Sequence, residues 1–167
     1  MRISKVTLPQ LDETFQIFLD CREVLEKEGI FQWTDQYPTL EIISKDIRKG
    51  NLYCLNENGN TYGVININEL QDQENNSVHG KNNVGKILII HRLAVKPEFQ
   101  NRGFAKKLMD FAEDYAIENN FNSIRLDAYS GNPKLLKFYE NRDYQRGGEV
   151  FFPGRKLPFY CYEKFLK

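Results

Sequence analysis

The segment from Leu88 to Ala105 constrains this chain most. Leu88-Ile89-Ile90-His91-Arg92-Leu93-Ala94-Val95 reads as a buried strand, Lys96 to Phe99 as a short loop, and the residues after Gly103 as a helix. The first turn of a helix leaves backbone N–H groups unpaired, and the helix dipole adds partial positive charge there. An anion, typically a phosphate, is the natural guest at such an end. Gly103 has no Cβ, so main chain and guest can approach closely. Arg102 adds a fork of donors suited to phosphate oxygens.

The elements around this segment follow from periodicity and turn chemistry. Ile3 to Leu8 reads as a first strand. Leu11, Phe15, Phe18, Leu19, Arg22 and Leu25 recur at helical spacing, with Gly29 as the stop. Phe31 to Pro38 is an aromatic loop, and Thr39 can cap a second helix carrying Ile42, Ile43 and Ile47, with Gly50 just past its end. Leu52–Asn56 and Tyr62–Asn68 flank Asn58-Gly59-Asn60, a hairpin signal. Gln71 to Asn83 is polar and reads as a long flexible loop. Lys86 to Val95 is then the central strand. Ala105, Leu108, Met109, Ala112, Tyr115 and Ala116 mark one face of the following helix. Ser123 to Tyr129 is another strand, and Asn132-Pro133 supplies a cap and a first helical residue for a helix carrying Leu135, Leu136, Phe138 and Tyr139. Gln145–Phe152 and Pro158–Phe165 close the chain as two strands. Strand–helix alternation with late hairpins implies an α/β fold, a mixed sheet covered on both faces.

Composition narrows the function classes. The 167 residues fit one domain, 1–167, and the 23 basic and 23 acidic residues balance. That balance argues against a nucleic-acid binder or a polybasic membrane anchor. The start, Met1-Arg2-Ile3-Ser4-Lys5, lacks the apolar core of a signal peptide, and no aliphatic run is long enough to cross a bilayer. Three widely spaced cysteines, Cys21, Cys54 and Cys161, form no CxxC, so a reduced cytoplasmic protein without a metal site is expected. There is no GxxxxGK[ST] and no GxGxxG, which removes the P-loop and Rossmann nucleotide enzymes.

Gln100-Asn101-Arg102-Gly103-Phe104-Ala105 resembles the Gln/Arg-x-x-Gly-x-Gly/Ala signature of the GNAT N-acetyltransferase superfamily. Arg92-Leu93-Ala94-Val95 resembles the end of its central strand, and the element order is similar over essentially the whole chain. The tail Phe151 to Tyr162 looks like a feature of one bacterial subgroup. The resemblance implies a GNAT fold: a mixed, mostly antiparallel sheet of about seven strands with a V-shaped splay and helices on both faces. It implies acetyl-CoA as cosubstrate, its pyrophosphate in the loop and its pantetheine arm along the splayed strand. Leu93 N–H would then face the thioester carbonyl, Val95 would pair with the arm, and Ala94, Gln100, Asn101, Arg102, Gly103, Phe104, Ala105, Lys106 and Asn132 would complete the cofactor contacts. Lys107 reads as a solvated face.

Acetyl transfer to an amine needs a neutral amine, a stabilised carbonyl oxygen and a neutralised leaving thiolate. The family's Asn, helix, Leu/Phe-Tyr-Glu pattern falls on Asn132 and Phe138-Tyr139-Glu140, which makes Tyr139 the acid. It lies seven residues after Asn132, about two turns into the helix. The base is His91, which shares strand parity with Leu93 and Val95 and aligns with a histidine of arylalkylamine members, or Glu69 or Asp127, or else a water chain leading to bulk takes the proton with no side-chain base. The glutamate of histone-type members falls on Ile89, which cannot titrate. For the acceptor pocket the resemblance indicates Phe31, Trp33 and Tyr37, with Glu69, Phe152, Arg155 and Tyr160 further along. Aromatic faces beside a carboxylate suit a cationic amine. The resulting expectation is an N-acetyltransferase acting on a small-molecule primary amine in a ternary complex, with a homodimer open to it. The alternatives are a protein or peptide acceptor, or a non-catalytic acyl-CoA-binding module.

Overall fold

A computed structural model describes residues 1–70, 72, 74 and 85–166. Seven strands form one sheet in the order β1-β2-β3-β4-β5-β7-β6. They are β1 (Arg2–Lys5), β2 (Leu52–Glu57), β3 (Asn60–Asn68), β4 (Ile87–Val95), β5 (Ser123–Tyr129), β6 (Gln145–Val150) and β7 (Phe159–Phe165). Among the described residues, four α-helices accompany them: α1 (Leu11–Lys27), α2 (Leu40–Arg48), α3 (Phe104–Glu118) and α4 (Pro133–Glu140). β4 and β5 are parallel, while β1 with β2, β2 with β3, β5 with β7 and β6 with β7 are antiparallel. This is the expected mixed, mostly antiparallel sheet. The β4–β5 ladder pairs Ile87 to Ile90 with Ser123 to Leu126, so it covers only the first part of β4.

Local chemistry explains most boundaries. Thr39 Oγ1 accepts Ile42 N at 3.3 Å and starts α2. Asn58 (φ 52°) and Gly59 (φ 78°) form the tight turn between β2 and β3, a left-handed pair that Asn-Gly adopts at low cost. β1 is shorter than its apolar pattern suggests. Thr7 and Gln10 build a capping box around a 3-10 turn at Leu8–Gln10, and Pro9 fixes that turn. β6 ends at Val150 and β7 begins at Phe159, because the intervening chain turns through Gly154 (φ 78°) while Arg155 Nη1 donates to Pro153 O at 2.9 Å. Apart from Asp72 and Glu74, the loop expected over Gln71–Asn83 lies outside the described residues.

The chain divides into two compact units, Met1–Ile67 with His91–Ala112, and Asn68–Ile90 with Glu113–Lys167. The first has a core of Ile17, Phe18 and Cys21 from α1, Ile43 and Ile47 from α2, and Leu52, Val64 and Ala94 from three strands. In the second, Leu88, Ile124, Leu126, Cys161 and Tyr162 are buried along β4, β5 and β7.

Candidate active site

In the first unit, β4 ends at Val95 and the chain passes through a 3-10 turn at Pro97–Phe99 to the start of α3. Asn101 (φ 61°) and Gly103 (φ 80°) are both left-handed. Lys107 N is the first amide of α3 to be paired, with Gly103 O at 3.1 Å. Among the described residues, the amides of Arg102, Gly103, Phe104, Ala105 and Lys106 donate to no protein acceptor. A Cβ built on Gly103 would meet nothing within 4 Å, so the space beside these donors is open. Alternating left-handed residues ahead of a helix start gather N–H groups into an anion-binding concavity. Lys106 is exposed and bonds Asp110 at 2.8 Å, and the Arg102 guanidinium lies 5.5 Å from the Phe99 ring.

Three features hold the loop. Gln100 Nε2 donates to Val95 O at 3.1 Å, and the Cys21 thiol donates to the same oxygen at 3.1 Å. Burial pushes that thiol up to about 12, so it stays protonated and a donor. Tyr62 stacks on Phe104 (4.9 Å) and meets Phe99 edge-on (4.7 Å). Gly63 lets β3 approach the end of β4: a Cβ there would lie 2.7 Å from Ala94 O.

Along β4, Arg92 and Ala94 are buried, while His91 and Leu93 are half-buried. Arg92 donates from Nε (2.9 Å) and Nη2 (2.6 Å) to Asp46 Oδ2, and from Nη1 to Tyr37 Oη at 2.6 Å. Burial raises the Asp46 carboxyl above its ordinary range, although the guanidinium beside it works the other way. Asp46 also feels His91 and bonds Asn66. Tyr37 therefore presents its hydroxyl to Arg92. Trp33 is buried edge-on against Phe18 at 5.4 Å, whereas Phe31 is exposed.

In the second unit, Asn132 Oδ1 accepts Leu135 N at 3.2 Å and Pro133 follows it, the expected start for α4. Tyr139 is 4 % exposed and packs against Tyr144 (5.9 Å) and Tyr162 (6.3 Å). Burial pushes its phenol above the ordinary value, so it is protonated at neutral pH. Glu69 is exposed, 3.5 Å from Lys86 Nζ. Asp127 is paired with Cys161. Phe152 and Arg155 both lie against Phe159, and Tyr160 carries the Arg146 guanidinium over its ring. Two other carboxylates of this unit each collect several donors. Glu113 takes Arg142, Lys164 and the Tyr144 hydroxyl, and Glu163 takes Ser123 and Arg125.

Residues 11–144 match the profile of the acetyltransferase (GNAT) family. The chain belongs to the GNAT family. It is an acyltransferase, and the N-acetyltransferases among its relatives agree. An uncharacterised N-acetyltransferase of Archaeoglobus fulgidus is 36% identical over 70 residues, 42% of this chain and 46% of that protein, so the chain matches less than half the length of this relative. The uncharacterised N-acetyltransferase YesJ of Bacillus subtilis is 23% identical over 74% of this chain and 69% of its own. Among solved structures, a GNAT-family acetyltransferase of Streptococcus agalactiae superposes with a TM-score of 0.81 at 20% identity, covering 99% of this chain and 95% of that one. The PaiA N-acetyltransferase of Thermoplasma acidophilum, solved with coenzyme A, gives 0.71 at 15% identity, covering 99% and 98%.

For a GNAT enzyme the least legible residues are Arg92, Asp46, Gly63 and Tyr62. A charged residue inside an apolar strand run is the one signal that could have flagged Arg92, because such a residue needs a buried partner. Nothing local identifies Asp46 as that partner, 46 residues away.

Proposed function

We propose that this GNAT enzyme transfers the acetyl group of acetyl-CoA to a primary amine, with a small molecule as acceptor, by direct attack in a ternary complex. The observation that carries the cofactor reading is the row of unpaired amides from Arg102 to Lys106 beside open space at Gly103. Fixed donors suit the coenzyme's diphosphate and are set before it binds. The related fold solved with coenzyme A supports the same ligand. Acetyl-CoA supplies an activated acyl group, and the chain has to orient it and move two protons. Leu93 N–H takes the thioester oxygen, on a part of β4 beyond its ladder with β5. Tyr139 holds the proton for the departing sulfur, and Asn132 holds the pantetheine arm. His91 is the first candidate to take the amine proton; free alkylamines, with pKa values near about 10, are otherwise mostly protonated at neutral pH. Glu69 is second, 3.5 Å from Lys86 Nζ. The acceptor enters by the α1–α2 loop, with Phe31 the accessible aromatic, and Trp33 and Tyr37 forming the wall behind it. The balanced charge and the lack, among the described residues, of a helix able to cross a membrane fit a cytoplasmic enzyme.

Calorimetry with coenzyme A and acetyl-CoA tests the cofactor reading, with a micromolar complex expected and no heat of binding overturning it. Thiol release from acetyl-CoA against diamines, amino sugars, amino acids and peptides tests the reaction. Turnover with peptides alone would replace the small-molecule acceptor, and binding without turnover on any amine would make the chain an acyl-CoA-binding module.

A further inference from the structure

Gln100 opens the helix-start motif, and the family resemblance counts it among the coenzyme contacts. Its geometry assigns it differently. The side-chain Nε2 turns back to Val95 O at 3.1 Å, and its backbone N donates to Pro97 O at 3.2 Å. The Cys21 thiol, from α1, reaches that same Val95 oxygen at 3.1 Å. A carbonyl oxygen has two lone pairs, and here the protein occupies both. One donor comes from the loop and the other from a core helix, and they meet at the last residue of β4. Cys21 is 4 % exposed and belongs to the cluster of Ile17, Phe18 and Ile43, so one jaw of this contact is anchored in the core. Immediately downstream lie Asn101 and Gly103, both left-handed, and then the unpaired amides. Free amides bind an anion well only if their directions are set before it arrives.

We propose that Gln100 and Cys21 clamp the Val95 carbonyl and thereby preset the main chain of Gln100–Lys106 for a diphosphate. Gln100 is a positioning residue in this scheme, and the Val95 carbonyl is withheld from the cofactor, leaving only its N–H to pair with it. The inference rests on the reading of this loop as the coenzyme's phosphate site.

The test uses the full chain with Gln100→Met, Cys21→Ala, Cys21→Ser and the double variant Gln100→Met/Cys21→Ala. Hydrogen exchange of the ligand-free proteins is read at the paired amides of Phe99, Gln100 and Lys107, and coenzyme A affinity by calorimetry. Gln100→Met is expected to speed exchange at these amides several-fold and to weaken coenzyme A about fivefold, the scale of one net hydrogen bond. The double variant should lose more than the product of the single losses, because either donor alone still holds the carbonyl. Cys21→Ser keeps a donor and should restore wild-type exchange and affinity, which separates the clamp from simple loss of core packing. Weaker coenzyme A binding with unchanged exchange in the ligand-free protein would make Gln100 a ligand contact and overturn the proposal. Unchanged affinity and exchange would overturn it as well. If the wild type binds no coenzyme A, the phosphate-site reading fails, and the exchange arm still decides whether the clamp exists.

Discussion

Helices α3 and α4 begin in opposite ways. At α4 the Asn132 side chain accepts Leu135 N, and Pro133 has no N–H to satisfy, so the exposed donors of the first turn are reduced. At α3 the equivalent turn carries no cap. Its position before Phe104 is Gly103, and the amides from Arg102 to Lys106 point at no protein acceptor. A folding chain gains about 1 kcal/mol from an N-cap, so an uncapped start is a stability sacrifice. It is retained here beside open space, where an external anion can do the capping. The difference separates polar groups that hold the fold from polar groups that await a ligand.

The sharpest way to test that distinction is to break a saturated group. Asp46→Ala removes the carboxylate from the buried Arg92 guanidinium and leaves it the Tyr37 hydroxyl, which carries no compensating charge. An uncompensated buried charge costs about 3–5 kcal/mol, so denaturant unfolding should show a loss of that size. A loss below about 1 kcal/mol, the range of surface pairs, would mean that water reaches the pair.

The converse change fills the unsaturated site. Gly103→Glu introduces a side chain with no protein atom in its way, but with a carboxylate among the free amides. Coenzyme A affinity should fall by about 100-fold or more, roughly 2.7 kcal/mol. The left-handed backbone adds about 1–2 kcal/mol of folding cost, visible as a modest drop in melting temperature. Retained affinity would dismiss the α3 start as the anion site.

Much of this contrast could be read before any coordinates. Thr39 and Asn132 as caps, Gly29 and Gly50 as helix stops, and Asn58-Gly59 as the hairpin turn all depend on neighbours within a few residues. β5 has the bounds its apolar pattern gave, Ser123–Tyr129, because a buried strand between polar ends is a local signal. What stayed hidden depends on contacts far along the chain. Arg92 finds Asp46 and Tyr37 through the packing of α2 and the α1–α2 loop. Gly63 looks like an ordinary strand glycine until β3 is laid against Ala94. Trp33, one aromatic among several in its loop, becomes core only because Phe18 offers it an edge. The fate of the Gln100 amide, turned back to Val95, is a rotamer choice that no spacing rule encodes.

Tyr139 belongs to a smaller test. Tyr139→Phe removes only a hydroxyl from the aromatic packing with Tyr144 and Tyr162, so stability should change little. If its proton reaches the leaving sulfur, kcat should fall about tenfold or more, with coenzyme A affinity unchanged. An unaltered rate would remove Tyr139 from the mechanism and leave it a core aromatic.

The smallest expected effect separates the two roles given to Asn132. Asn132→Ala deletes the cap and should cost about 1 kcal/mol of stability. Asn132→Asp keeps an oxygen for Leu135 N and adds charge that suits the helix dipole, so stability should return to the wild-type level or above it. The aspartate has no amide donor. If the Asn132 side chain also holds the pantetheine arm through its N–H, coenzyme A binding should stay weakened in Asn132→Asp by a few-fold, the scale of one net hydrogen bond. Full recovery of both stability and affinity would assign Asn132 to capping alone. The contrast between α3 and α4 would then become complete, with one helix start serving the ligand and the other serving only the fold.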